Sequence, residues 1–151
     1  MPARFLDPVG GSEFMARILY DPDDWNDDGL TPRAITTDDL RERERGWSVQ
    51  RIACAPHMLQ EVADKRLKRR PDLSVGKVAI FRAGIIREIA VQDAATPVDV
   101  EPNPYPDNEA HAIVIALPGM KNSFYKKVKA AIICRLAIVA GCAEAIARCS
   151  Q

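Results

Sequence analysis

Two histidines and one arginine are the residues of this sequence best suited to acid–base chemistry. His57 and His111 are its only histidines, and an imidazole side chain changes its protonation state near neutral pH. Arg51 could stabilise a negative charge that develops beside either imidazole. The sequence therefore predicts His111, His57 and Arg51 as candidate catalytic residues of a small hydrolase or nuclease.

The positions of the two histidines support a base or acid role for each. His57 lies in the first turn of a predicted helix, where the positive end of the helix dipole disfavours the charged imidazole. His111 opens an apolar strand directly after Asp107 and Glu109, so we expect a carboxylate to orient its ring. Nothing in the sequence brings these groups together, and the alternative that each histidine is a hydrogen-bonded structural residue stays open.

The segment Asp24–Gly29 matches the opening of a calcium-binding loop. Its pattern, D-x-N-x-D-G, alternates oxygen ligands and places glycine at the sharp turn. The twelfth position, which should hold a bidentate carboxylate, is Ile35, and Pro32 occupies the ninth. We therefore predict an acidic turn, with a calcium-dependent module as an alternative function.

A basic run at residues 65–70 closes a predicted helix and could contact phosphates. No aromatic residue is interleaved with it for stacking on bases. The chain has 21 Lys+Arg and 21 Asp+Glu residues, so it has no overall basic field to attract a polyanion. Nucleic acid is therefore not the expected partner.

Length and composition predict one folded domain without cofactors. The 151 residues are 47% apolar and 28% charged, which excludes a disordered chain. The four cysteines have no C-x-x-C spacing, so we expect reduced thiols and neither a metal site nor a cofactor. Cys54, three residues before His57, is an alternative nucleophile.

Residues 1–14 are predicted to be an expression-vector leader. Gly11-Ser12-Glu13-Phe14 precedes a second methionine, Met15, and is the peptide that two adjacent common cloning sites encode. A natural N-terminal extension is the alternative. No signal peptide follows Met15, so we expect a cytoplasmic protein whose single domain spans residues 15–151.

Apolar periodicity predicts an α+β fold, with a small sheet flanked by three or four helices. Strands are expected at residues 17–20, 47–52 and 110–117, the last of them central. A loop is expected at residues 93–108. Helices are expected near residues 36–46, 56–69, 74–89 and 123–148.

The apolar C-terminal segment, residues 123–148, determines the preferred function. Arg135, Gly141 and Glu144 interrupt it, so it does not qualify as a membrane span. We expect a helix that is buried or that pairs with a partner protein or a second copy. No G-x-S-x-G or phosphate-loop motif is present. The sequence therefore favours an accessory or protein-interaction module, self-associating or bound to a partner, over an enzyme.

Short segments of residues 15–120 resemble a group of small uncharacterised bacterial proteins. The most specific of them is the Asn-x-Ala-His-Ala element at residues 108–112. The resemblance implies no activity, but it draws attention to His111, Asn108 and Arg87. The other segments are the Asp-Gly turn before Pro32 and Arg33, Trp47-Ser48-Val49 and Ala83-Gly84-Ile85-Ile86-Arg87-Glu88.

Overall fold

The computed structural model describes residues 5–52, 56–73, 77–92, 94, 96–136 and 139–149. Within these ranges the chain forms eight strands and five α-helices. The strands are β1 (Phe14–Leu19), β2 (Trp25–Asn26), β3 (Gly29–Leu30), β4 (Trp47–Arg51), β5 (Lys77–Arg82), β6 (Val98–Pro102), β7 (His111–Ala116) and β8 (Val139–Ala140). The helices are α1 (Thr37–Arg41), α2 (Met58–Arg69), α3 (Ala83–Arg87), α4 (Asn122–Arg135) and α5 (Cys142–Cys149).

Six strands form one antiparallel sheet in the order β6-β7-β4-β1-β5-β8. The two remaining strands, β2 and β3, form a separate short hairpin. All six residues of β7 are buried, as the near-continuous apolar sequence predicts for a strand inside a sheet. The predicted α+β class is confirmed, but the sheet is larger than expected and the described residues contain five helices rather than three or four.

The sheet has a hydrophobic core on each face. The larger core includes Trp47, Phe81 and Tyr125 and lies under α1, α3 and α4. The smaller core includes Leu59 of α2 and Val78 of β5, and α5 also contributes to it. Because both cores share one sheet, the described residues form a single domain.

Residues 77–89 were expected to form a helix, and this prediction is wrong. Lys77–Arg82 is strand β5, and only Ala83–Arg87 is helical. Val78 packs into the smaller core and Phe81 into the larger one. A strand buried on both faces lacks alternation of apolar and polar residues, so its short apolar run looks the same as part of a buried helix.

The C-terminal segment is not one long helix either. Helix α4 ends at Arg135, a short edge strand, β8, follows, and α5 begins at Cys142. The apolar face of α4 is buried in the larger core through Phe124, Tyr125, Val128 and Ile132. Among the described residues, no helix is both long and apolar enough to cross a membrane.

The expected loop at residues 93–108 contains strand β6. Val98 and Val100 of β6 are buried in the larger core and alternate with the less buried Asp99. Pro102 ends the strand, which lies at the edge of the sheet, where a missing N–H donor is tolerated. The high proline content therefore marks an edge strand rather than an absence of structure.

Residues 5–14 contact the rest of the domain. The side chain of Val9 is buried in the larger core. Glu13 O accepts a hydrogen bond from Ala83 N at 3.0 Å, and Gly11 O accepts one from Gly84 N at 2.8 Å. These contacts do not establish the origin of the segment, so the expression-vector leader stays a prediction.

Candidate functional site

A cavity of about 380 Å³ opens on the face of the sheet covered by α2. Strands β1 and β4 and the first residue of β7 line one side of it, whereas α2 and the connection between β6 and β7 line the other. The lining residues are Ala16, Arg17, Ile18, Tyr20, Ser48, Val49, Gln50, Val62, Lys65, Arg66, Arg69, Tyr105, Asp107, Asn108 and His111.

The sheet side of the cavity forms where β1 and β4 separate. These strands pair only at Met15–Arg51 and Ala16–Gln50. Beyond that point, Arg17 Nη1 donates a hydrogen bond to the Ser48 carbonyl at 2.9 Å. The Arg17 guanidinium also lies 5.3 Å from the centre of the Trp47 ring, which favours a cation–π contact. The Arg17 side chain therefore bridges the two strands next to the cavity.

One face of α2 forms the opposite wall. Val62, Lys65, Arg66 and Arg69 line the cavity, and their spacing of three, one and three residues places them on one side of a helix. The basic run therefore forms a row of three cationic side chains along the cavity. This row, Lys65, Arg66 and Arg69, is called the basic row below.

The tip of the β6–β7 hairpin contacts the basic row. Tyr105 and Asn108 exchange backbone hydrogen bonds of 3.0 and 3.1 Å across the tip. Lys65 Nζ donates to the Asp107 carbonyl at 3.2 Å, and Arg69 lies 3.7 Å from the Asp107 carboxylate. The Arg66 side chain forms no hydrogen bond or ion pair with another described residue, so its charge is available to a ligand.

His111 is held by hydrogen bonds to both ring nitrogens. Nδ1 lies 2.8 Å from the Asn103 carbonyl, and because a carbonyl only accepts, Nδ1 carries the proton in the neutral ring. Nε2 is then an acceptor and lies 3.0 Å from Ser48 Oγ, which donates. The Tyr105 ring stacks on the imidazole with a centroid separation of 4.4 Å. The tautomer and the plane of the ring are thus both fixed.

The surroundings of His111 favour its neutral form. Burial lowers the pKa of His111 below its ordinary value of 6.5, the Asn103 carbonyl opposes this shift, and the positive charge of Arg17 adds to it. At neutral pH the ring is therefore uncharged, with a lone pair on Nε2 facing the Ser48 hydroxyl.

This shift predicts a pH dependence of stability. Because the pKa of His111 is lower in the folded protein than in the unfolded chain, the unfolded chain binds more protons between the two values. The free energy of unfolding is therefore highest above about pH 6.5, the pKa in the unfolded chain, and it decreases as the pH falls from there through the lower pKa of the folded protein. Urea unfolding from about pH 5 to about pH 8 should show this slope, and His111→Gln should remove it. An unchanged slope in His111→Gln, or an equal loss in the exposed-site variant His57→Gln, would contradict the assignment.

Three polar side-chain atoms at the cavity lack hydrogen-bond partners. Among the described residues, Arg17 Nε, Gln50 Oε1 and Asn108 Oδ1 are the buried side-chain nitrogen and oxygen atoms without one. All three belong to cavity-lining residues. Each such atom costs about 1–3 kcal/mol when it stays unpaired. A bound molecule with both donor and acceptor groups would satisfy them if these side chains turned towards the cavity.

The three predicted catalytic residues have different surroundings. His111 lines the cavity, whereas His57 is exposed at the N-terminus of α2 and does not line it. Arg51 is fully buried and forms hydrogen bonds with both carboxylate oxygens of Glu13 at 2.7 and 3.0 Å. The structure thus gives no shared site for the three, and the catalytic roles of His57 and Arg51 stay predictions.

Several residues of the cavity carry no signal in the sequence. Ser48 and Gln50 reach His111 through the pairing of β4 with β7, in which Gln50 is opposite His111. The expected carboxylate beside His111 is replaced by the backbone carbonyl of Asn103. Such contacts depend on strand register and on backbone atoms, which no local motif encodes.

Of the residues singled out by the resemblance, Asn108 lines the cavity but Arg87 does not. Arg87 donates hydrogen bonds to the Asp99 carboxylate at 2.6 Å and to the Val100 carbonyl at 3.1 Å. Since Arg87 belongs to α3 and both partners belong to β6, it has a structural role in joining the two elements.

The predicted acidic turn, Asp24–Gly29, contains the connection between β2 and β3, and Arg33 pairs with the aspartates that precede it. Asp28 N donates to Asn26 Oδ1 at 2.8 Å within the β2–β3 connection. Arg33 forms ion pairs with Asp21 and Asp23. In the described part of the chain, no three His, Cys, Asp or Glu side chains are grouped to hold a metal ion. Cys54 lies outside the described residues.

Comparison with protein families, with curated proteins and with solved structures gave no match to this chain. The resemblance based on the Asn-x-Ala-His-Ala element therefore stays a prediction. The chemistry of the cavity is the basis for a functional assignment.

Proposed function

We propose that this protein binds a small anionic molecule in the cavity between the sheet and α2. The observation that carries this proposal is that positive charge and unpaired polar groups occur together in the lining of this cavity. The basic row lines the same cavity as Arg17, Gln50 and Asn108, the three described residues that have a buried side-chain atom without a hydrogen-bond partner. Positive charge and unsatisfied polar groups together favour a ligand that carries phosphate or carboxylate groups.

The charge of the cavity differs from that of the whole chain. The chain as a whole has no net charge. Among the described residues, in contrast, the cavity lining contains Arg17 and the basic row but only one carboxylate, that of Asp107. A local excess of cationic groups raises the concentration of anions at this surface. Arginine in particular forms paired hydrogen bonds with phosphate and carboxylate oxygens.

The size and remaining lining of the cavity favour a small organic anion. Its volume of about 380 Å³ falls within the range of about 300–1,000 Å³ typical of small-molecule sites. Ile18, Val62 and Tyr105 add apolar and aromatic surface to the polar groups. This mixture provides contacts for a carbon skeleton as well as for its charge.

The interaction module expected from the sequence receives less support. That expectation depended on an apolar helix available to a partner, and the apolar face of α4 is instead buried in the core of its own chain. Among the described residues, the large hydrophobic side chains that are exposed are Leu6 and Tyr105. Two separated side chains do not form an apolar docking patch. Self-association and a calcium-dependent role stay predictions without a structural feature that favours them.

Binding of inorganic pyrophosphate, measured by titration calorimetry and by the melting temperature, tests the proposal. We expect saturable binding and a rise in melting temperature with ligand concentration. The double variant Lys65→Gln/Arg66→Gln should bind about tenfold more weakly, since each exposed ion pair contributes up to about 1 kcal/mol.

A second double variant, Lys68→Gln/Arg70→Gln, is the matched control. It removes the same charge from the same end of α2, but neither residue lines the cavity. Its affinity for pyrophosphate should stay close to that of the unmodified protein. Equal losses in both double variants would indicate nonspecific attraction and overturn the proposal, as would an absence of saturable binding.

A further inference from the structure

We propose that Ser48 and His111 form a nucleophile–base pair. The pair hydrolyses a carboxylic ester that is part of the anionic molecule bound in the cavity. The inference rests on the proposed function, because the bound anion would place the ester beside Ser48. Both residues line the cavity, and Ser48 is only partly buried, so a ligand can reach its hydroxyl.

The geometry meets the requirements of an activated serine. Ser48 Oγ lies 3.0 Å from His111 Nε2, within the range of about 2.6–3.2 Å for a nucleophile and its base. His111 Nδ1 donates to the Asn103 carbonyl at 2.8 Å. The carbonyl takes the place of the carboxylate of a catalytic triad, because it fixes the tautomer in which Nε2 can accept a proton.

The reaction balances with water as the second substrate. Ser48 Oγ attacks the ester carbonyl carbon while its proton passes to His111 Nε2, and the carbonyl electron pair moves to oxygen. Collapse of this intermediate breaks the bond to the alcohol oxygen, which takes the proton from Nε2. Water then gives a proton to Nε2, attacks the acyl group and releases Ser48, which regains its proton. The products are a carboxylic acid and an alcohol.

Arg17 can stabilise the charge that develops on the carbonyl oxygen. Its Nη1 donates to the backbone carbonyl of Ser48, so the guanidinium is held beside the residue that carries the nucleophile. Its Nε is buried and has no hydrogen-bond partner among the described residues, and its positive charge already acts on the neighbouring His111. The guanidinium therefore stabilises an oxyanion at this site through its charge. A cationic donor in a partly buried position is an effective stabiliser of such a charge.

Labelling with a fluorophosphonate probe, followed by peptide mass spectrometry, tests the pair. We expect covalent labelling of Ser48, its loss in Ser48→Ala, and labelling at least about a hundredfold slower in His111→Gln. The exposed-site variant Ser123→Ala should react like the unmodified protein. Hydrolysis of the mono-4-nitrophenyl ester of succinate should likewise be lost in Ser48→Ala, be slower in His111→Gln and be unchanged in Ser123→Ala. Absence of Ser48 labelling, or labelling that does not depend on His111, would overturn the inference.

Two further measurements separate a loss of chemistry from a loss of fold or of binding. The variant Ser48→Cys retains a nucleophile at this position. Its thiol should be alkylated by iodoacetamide faster than the same thiol in the double variant Ser48→Cys/His111→Gln. Pyrophosphate should slow the fluorophosphonate reaction by competition. Pyrophosphate binding without Ser48 labelling would overturn the nucleophile–base pair alone. Labelling of Ser48 without pyrophosphate binding would overturn the anion site and the anionic-ester assignment.

Discussion

Replacing Arg51 by methionine is expected to lower the free energy of unfolding by about 3–5 kcal/mol, the usual cost of removing one partner of a buried ion pair. The Arg51 side chain is fully buried and that of Glu13 is 8% exposed. Arg51 also donates to the carbonyls of Phe5 and Asp7 at 3.1 and 2.8 Å. The variant would therefore leave a buried carboxylate and two backbone acceptors without this donor.

Urea unfolding of matched variants measures this effect. Arg43→Met is the control, because Arg43 pairs with Glu101 at the surface and an exposed pair contributes up to about 1 kcal/mol. Glu13→Gln should be destabilising as well, and the double variant Glu13→Gln/Arg51→Met should cost less than the sum of the two single variants. A cost for Arg51→Met no larger than that for Arg43→Met would contradict the buried pairing.

The same pairing makes a test of the N-terminal segment possible. Deletion of residues 1–13 removes Glu13 together with the backbone acceptors of Phe5 and Asp7. If these contacts stabilise the domain, the deletion should cost about as much as Arg51→Met. An unchanged free energy of unfolding would contradict a stabilising role of these contacts, whatever the origin of the segment.

The elements that local patterns specify could be predicted from the sequence. The Thr36 side chain accepts a hydrogen bond from Asp39 N and caps α1, as a threonine before an acidic first turn predicts, although α1 ends at Arg41 and not near residue 46. Apolar positions such as Leu59 and Ala63 identify α2, and both are buried. The strand at residues 110–117 was also predicted, because its apolar run is bounded by polar turns.

The wrong predictions have a common physical cause. Strand β5 sends Val78 to one core and Phe81 to the other, so its sequence shows no alternation. In the C-terminal segment, the sequence did not reveal the end of α4 at Arg135, because apolar residues continue on both sides of the break. Burial on several sides removes the periodicity from which such elements are recognised.

The candidate site was predicted only in part, for a different reason. His111 was identified because its residue type alone indicates acid–base chemistry. Ser48 was not, because its relation to His111 depends on how β4 pairs with β7. Arg17 was not, because its position follows from the separation of β1 and β4 after Ala16. The relevant distances are set by the tertiary structure, not by spacing along the chain.

Replacing Arg17 by methionine is expected to weaken pyrophosphate binding about 10- to 150-fold. This range corresponds to the roughly 1.5–3 kcal/mol that a hydrogen bond to a charged group contributes. Arg17 is less exposed than Lys65 and Arg66, so its charge is less screened by water and acts over the cavity more strongly. The loss should therefore exceed that of the double variant Lys65→Gln/Arg66→Gln.

The same substitution should also change the titration of His111. Arg17 contributes to the lowered pKa of His111 through its positive charge, so its removal should raise this pKa, while burial still keeps it below 6.5. Proton NMR titration of the imidazole resonances measures the shift, and His57→Gln identifies which resonance belongs to His111. Circular dichroism must show that the variant folds, because the Ser48 carbonyl loses its Arg17 donor. A folded variant with unchanged pyrophosphate affinity and an unchanged His111 titration would contradict this prediction. It would show that Arg17 contributes neither to anion binding nor to the pKa of His111.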